Sequence, residues 1–162
     1  IFGDNGPLVR IGKIRIIADS LTSEEYAQRL IIARGGPYSE TALQKSIGAL
    51  LARAAEHGFP FATARISNPH VLQAHGRHPK VDVQIVVHEG PKVFIKDILL
   101  EGNVYTHDNV ILRELGLRKN APFSKTAVDN IPRRLQRLNI SKNVQPPRLL
   151  KAAADSVYLL IK

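Results

Sequence analysis

The sequence predicts an α+β protein of two tandem domains, each a β-α-α-β-β unit whose three-stranded sheet is covered on one face by two helices. Three observations predict it: a two-fold internal repeat, a recurring helix-start signature, and strands that alternate apolar with polar residues. Gly6-Pro7-Leu8-Val9-Arg10-Ile11-Gly12-Lys13-Ile14 returns 84 positions later as Gly90-Pro91-Lys92-Val93-Phe94-Ile95-Lys96-Asp97-Ile98, keeping the pattern G-P-x-V-x-I-x-x-I. Pro37-Tyr38-Ser39 with Ala42-Leu43 likewise returns as Pro122-Phe123-Ser124 with Ala127-Val128. The expected domains are residues 6–90 and 91–162, with the boundary near Glu89-Gly90-Pro91.

Each element has its own warrant. Val9, Ile11, Ile14 and Ile16 form an extended apolar run that stops at Asp19-Ser20. Thr22 is placed to cap the helix that follows, Glu25 completes a capping box, and Leu21 and Tyr26 occupy the two positions of a hydrophobic staple. The same start recurs at Tyr38-Ser39 with Leu43, Tyr105-Thr106 with Val110, and Phe123-Ser124 with Val128. Leu43, Ile47, Leu50, Leu51 and Ala54 make one helical stripe, which Gly58 should end by taking the left-handed conformation. Val128, Ile131, Leu135 and Leu138 form the equivalent stripe in the second copy, where Pro132 predicts a kink or a fresh helix start. Val81, Val83, Ile85 and Val87 alternate with Asp82, Gln84, Val86 and His88, and Val157, Leu159 and Ile161 repeat that pattern near Lys162.

Composition narrows the function. The 162 residues are 44% hydrophobic with no Cys, no Met and no Trp, so a packed core is expected and a disulfide framework, thiol nucleophile or thiolate metal site is excluded. No apolar run approaches the ~20 residues of a spanning helix. The lack of Met and the opening Ile1-Phe2-Gly3-Asp4 read as those of a fragment.

The run Gly90 to Ile98, followed by Gly102-Asn103, Thr106 and Arg113-Glu114, resembles the polypeptide-transport-associated (POTRA) domain of BamA-like and TamA-like outer-membrane proteins of the bacterial surface antigen superfamily. Leu50-Leu51 with Gly58-Phe59 and Ala62 resembles that family's helix end. The resemblance covers residues 6 to 162 and implies a periplasmic, non-enzymatic array on a Gram-negative outer-membrane protein. Its implied partners are unfolded outer-membrane or exported polypeptides, neighbouring POTRA domains, a C-terminal β-barrel of the same chain, and a periplasmic lipoprotein or chaperone. No cofactor is implied.

A three-stranded sheet has two edges, and an unpaired edge can accept an extended client strand. In the resembled family the free edge is the middle strand of the sequence, here about Thr63 to Pro69 and about Lys142 to Leu150. Pro146-Pro147 removes two donors from the second, which favours Thr63, Ala64, Arg65, Ile66 and Ser67. Gly90 and Pro91 are expected to form the joint between domains.

Formal charge is +9 in total, but residues 1–91 hold ten cations against eight carboxylates and residues 92–162 thirteen against six. Arg133, Arg134, Arg137, Lys142, Arg148 and Lys151 form the candidate basic face, suited to anionic lipid headgroups or an acidic partner, or to no dedicated ligand at all. Nucleic acid fits least, because the few aromatics occupy staple or strand positions. His70, His75, His78 and His88 lack the carboxylate and spacing of a metal site, so no metal is expected. Arg113 and Glu114 should pair with the neighbouring sheet or domain rather than do acid–base chemistry. The alternatives are the POTRA domains of a two-partner secretion transporter and, from another class, a basic nucleic-acid-binding module.

Overall fold

The computed structural model describes residues 9–72, 79–102, 107–137 and 144–162. The chain divides into two compact units: one holds the residues up to Ala54 together with Phe61–Gly90, the other Ala55–Pro60 with Pro91–Lys162.

In the first unit, β1 (Arg10–Ala18) leads into α1 (Ser23–Ala27) and α2 (Glu40–Glu56), followed by β2 (Thr63–Leu72) and β3 (Lys80–His88). The sheet order is β1-β3-β2, with β3 parallel to β1 and antiparallel to β2. Thr22 caps α1 through the expected capping box with Glu25, and Ser39 Oγ accepts from the Ala42 N–H at the start of α2. Gly58, at φ 96°, follows the end of α2.

The buried face of α2 is turned slightly from the expected stripe: Leu43, Leu50 and Ala54 are buried as expected together with Ser46, while Ile47 and Leu51 are half-buried. Ser46 is tolerated there because its hydroxyl accepts from the N–H groups of Ile31 and Ile32 and donates to the Ala42 carbonyl. In the same unit, Ile11, Tyr26, Leu50, Val83, Ile85 and Val87 are withdrawn from water, each apolar side chain contributing about 1.5–3 kcal/mol of transfer free energy.

The repeated V-x-I-x-x-I pattern has a structural cause. In a regular strand, residues three apart face opposite sides, yet Ile11 is buried and Ile14 half-buried. The β1–β3 register shifts between Ile11 and Ile14, so Gly12 and Lys13 stand against the single residue Asp82. The extra residue of this bulge returns Ile14 to the core side. The second unit repeats the shift between Ile95 and Asp97 and buries both Ile95 and Ile98. A carboxylate satisfies each irregular backbone: Lys13 N–H donates to Asp82 Oδ1 at 2.6 Å, and Ile98 N–H to Asp97 Oδ1 at 2.7 Å.

In the second unit β4 (Phe94–Leu100) is followed by α3 (Asp108–Leu115), the two-residue β5 (Ala121–Pro122), α4 (Lys125–Asp129), α5 (Ile131–Arg137), β6 (Arg148–Lys151) and β7 (Ser156–Ile161). The sheet order is β5-β4-β7-β6, so a short fourth strand joins the three expected from sequence. The second helical stripe breaks at Asn130, and Pro132 sits in the first turn of α5, where its missing N–H costs no helical bond. Ser124 caps α4, but α3 begins one residue later than expected: His107 is its N-cap, without a side-chain bond. Its buried residues are Ile111 and Leu115, which turns Val110 outward to 38% exposure. Val93, Ile95, Ile98, Phe123, Val157 and Leu159 complete this unit's core.

Candidate polypeptide-binding edge

The two edges of the first sheet are unequal. Along β1, residues 35–38 fold back onto the strand: Gly35 N–H donates to the Ile11 carbonyl at 2.7 Å, Ile11 N–H to Gly36 at 2.8 Å, and Tyr38 N–H to Val9 at 2.8 Å. An isolated bridge joins Arg10 to Pro37. Among the described residues β2 pairs with β3 alone, through a regular ladder from Thr63 against His88 to Ser67 against Gln84. Beyond Ser67 the register shifts before resuming at His70.

Five regular residues span ~16 Å, and every second one directs its N–H and C=O away from β3. Thr63 and Arg65 are exposed, whereas Ala64, Ile66 and Ser67 are half-buried. No carboxylate and no lysine lies within Thr63–Leu72, so two of the usual guards of a sheet edge are lacking.

The second sheet has the same asymmetry. Phe94 and Ile95 pair with Pro122 and Ala121, and Asn120 and Phe123 donate to the Ile95 and Val93 carbonyls, covering the outer side of β4. The opposite edge is β6, four residues long, paired with Val157–Leu160 of β7. Pro146 and Pro147 immediately precede β6.

Among the described residues the candidate basic side chains do not converge on one face. Arg133 and Arg137 are exposed on α5, while Arg134 donates from Nη1 to the Leu115 carbonyl at 2.7 Å and thereby satisfies the end of α3. Arg148 stands opposite Leu160, outside the core cluster, while its neighbour Leu149 packs against that cluster; strand alternation therefore puts Arg148 on the sheet face away from α5. Lys151 ends β6, and Lys142 lies outside the described residues.

Gly90 and Pro91 come after β3 and the buried Glu89, and both are exposed. Gly102 lies just past β4, and Asn103 and Thr106 fall outside the described residues. Arg113 Nε lies 3.6 Å from Glu114 Oε1 on the exposed side of α3, so this pair meets itself and not the sheet as expected. Both side chains are long enough to curl together in water, where such a contact is worth little. His88 Nδ1 is 3.2 Å from Asp19 Oδ2, while His75, His78 and the side chain of His70 lie outside the described residues. Among the described residues no group of three His, Cys, Asp or Glu side chains could hold a metal.

Sequence reasoning missed a polar centre behind the edge. The Glu89 carboxylate, just past β3, accepts from the N–H groups of Asp19 at 2.8 Å, Ser20 at 3.3 Å and Leu21 at 3.2 Å, and from the Tyr26 hydroxyl at 2.9 Å. Burial raises its pKa, but the Asp19 and Leu21 N–H groups and the Tyr26 hydroxyl outweigh that effect and hold it below the usual glutamate range. Burial, then the hydrogen bond to Glu89, pushes the Tyr26 hydroxyl well above its ordinary value. The available signal was a tyrosine at a staple position, whose hydroxyl needs a buried partner.

Two tandem α+β units, each covering its first strand and placing its middle strand at a sheet edge among the described residues, define a class of small repeated modules. The chain belongs to the POTRA family: the family model, described as surface antigen variable number repeat, matches residues 9–90 and 93–162. It is similar to a protein named outer membrane protein assembly factor BamA from Nitratidesulfovibrio vulgaris, 25% identical over 162 residues, covering 97% of this chain and 20% of that one. A protein of the same name from Neisseria meningitidis serogroup B is 25% identical over 142 residues, covering 86% of this chain and 17% of that one. The chain thus spans about a fifth of the length of these relatives. Its fold matches the crystal structure of Haemophilus influenzae BamA POTRA3-5 with a TM-score of 0.75 at 18% identity, over 95% of this chain and 60% of that one. No helix among the described residues is long and apolar enough to cross a membrane. The chain is a periplasmic portion of an outer-membrane protein.

Proposed function

We propose that the first unit receives extended segments of unfolded outer-membrane polypeptides by strand addition along Thr63–Ser67, within a protein that assembles such clients into the outer membrane. The observation that carries this reading is the inequality of the edges: residues 35–38 occupy the outer side of β1, whereas β2 offers a regular five-residue ladder whose outer side pairs with no other strand among the described residues. Backbone bonds to an incoming strand depend little on its side chains, which suits many clients. The role is binding rather than catalytic, and Gly90-Pro91 acts as a short joint toward the second unit. The names of the two relatives support the assembly role, and a C-terminal barrel in the same protein is part of the proposal.

Titrating the 162-residue chain with an unfolded barrel-protein peptide while following amide shifts tests the site. Shifts should concentrate at residues 63–67. Arg65 and Ile66 are adjacent, so one N–H faces β3 and the other faces out. Arg65→Pro and Ile66→Pro should therefore differ: one disrupts the ladder to β3, and the other keeps the fold but weakens peptide binding about 3- to 10-fold. If the variant that keeps its fold binds peptide as the parent does, this edge is not the site. Shifts seen only with duplex DNA and abolished by salt would establish the nucleic-acid reading instead.

A further inference from the structure

Across β3 from the proposed edge, the bulge of β1 borders an open-mouthed cavity of about 230 Å3, lined by Ile11, Gly12, Lys13, Arg34, Gly35, Lys80 and Asp82. We propose that this cavity binds a phosphate group. The inference is independent of the strand-addition reading, because none of residues 63–67 lines the cavity.

Charge carries the first part. Three cations, Lys13, Arg34 and Lys80, ring the mouth, and none has an ion-pair partner among the described residues. The only carboxylate in the lining, Asp82, is already committed to the Lys13 N–H at 2.6 Å. An excess of two positive charges therefore surrounds a concave space, and three separate cations can meet several oxygens of a tetrahedral phosphate group at once, which a planar carboxylate with two oxygens cannot match. Arg34 can offer a planar two-donor fork and the lysines compact point charges, the usual division of labour on phosphate oxygens.

Rigidity carries the second part. The Arg34-Gly35 wall is fastened to β1 by the paired bonds of Ile11 with Gly35 and Gly36, and Arg10 Nη1 donates to the Gly35 carbonyl at 2.8 Å. Lys80 and Asp82 alternate with the buried Val81 and Val83, so they rise from the sheet face away from the helices. The cations are thus mounted on a hydrogen-bonded frame, and little backbone ordering remains when an anion arrives. The volume equals that of roughly seven or eight waters, room for a phosphate and part of its hydration shell.

The source of the phosphate is either the free ion or a phospholipid headgroup, and the experiment separates them. Amide shifts of Gly12, Lys13, Gly35 and Lys80 are followed as the chain is titrated with sodium phosphate and, at matched ionic strength, with sodium acetate. Saturable shifts with phosphate are expected, at least tenfold weaker in Arg34→Gln and Lys80→Gln, whose unchanged β1–β3 amide pattern shows that they fold. Co-sedimentation with phosphatidylcholine vesicles containing phosphatidylglycerol gives the second arm. Loss of sedimentation in both variants assigns a lipid headgroup, and phosphate saturation with sedimentation unaffected by the substitutions assigns the free ion. Equal responses to acetate and phosphate, or variants that bind phosphate as the parent does, would overturn the proposal.

Discussion

The Tyr26 hydroxyl donates to Glu89 Oε1 at 2.9 Å, tying the single buried position of α1 to the residue that follows β3 across 63 positions of sequence. Tyr26 is 0% and Glu89 1% exposed, so this carboxylate is solvated by the protein alone. Its other partners are the backbone N–H groups of the turn between β1 and α1. One side chain thereby organises the end of β1, the start of α1 and the exit from β3.

Removing the hydroxyl should be costly although it removes one atom. Tyr26→Phe leaves a buried carboxylate one donor short and should lower stability by about 1.5–3 kcal/mol, read as a shift of the urea midpoint. A midpoint within error of the parent would show that the hydroxyl contributes nothing net.

The same group sets the acid limb. A glutamate held below its usual range stabilises the fold above the unfolded value, about 4.3, and that contribution is lost as pH falls through the folded value. Glu89→Gln should flatten the acid unfolding of the first unit below about pH 4, followed at the Leu21 amide. Asp97, held low by the Lys119 ammonium at 2.9 Å and the Ile98 N–H, acts in the same direction in the second unit and should be unaffected by that substitution. Tyr26 has the opposite sign: its raised value confers stability present below its ordinary 10.0 and lost as pH rises beyond it. Tyr26→Phe should therefore also flatten the alkaline limb.

At the bulge, a Cβ on Gly12 would overlap the Asp82 carboxylate that binds the Lys13 N–H. Gly12→Ala should destabilise by about 1–3 kcal/mol. Asp82→Ala alone should also cost about 1 kcal/mol by orphaning that N–H. The double variant should cost less than the sum, because the second change removes the clash of the first; strict additivity would show that the two do not interact.

On α5 the arginines should separate cleanly. Arg134→Ala removes the donor to the Leu115 carbonyl and should cost about 1–2 kcal/mol, while Arg133→Ala, exposed one position earlier, should stay within about 0.5 kcal/mol. Thermal unfolding of both variants side by side checks the contrast.

Much of the fold was legible because its signals are local. Thr22 with Glu25, Ser39, Ser124 and Pro132 act within one turn of themselves, and α1, α2, α4 and α5 start where they indicate, whereas α3 starts one residue later than expected. The parity change in V-x-I-x-x-I was also visible, although only pairing with β3 and β7 turns it into a bulge. Ser46 was unreadable as a core residue: its fitness for burial depends on the Ile31 and Ile32 N–H groups, which the path of the chain between α1 and α2 brings to it. The candidate basic residues cluster in sequence, but strand alternation at Arg148 and the bond of Arg134 to the Leu115 carbonyl divide the described ones in space.

What the sequence by itself determined is the tandem repeat, the order of strands and helices in the first copy and the POTRA family, because these rest on periodicity and capping within a few residues of one another. Only the tertiary structure decided which edge of the first sheet is covered and which, among the described residues, pairs with no further strand. That choice depends on residues 35–38 returning to bond Val9 and Ile11, a long-range backbone match to which side-chain pattern contributes nothing. The burial of Glu89 was decided the same way, since its carboxylate tolerates the interior only where three N–H groups and a hydroxyl from distant segments converge on it.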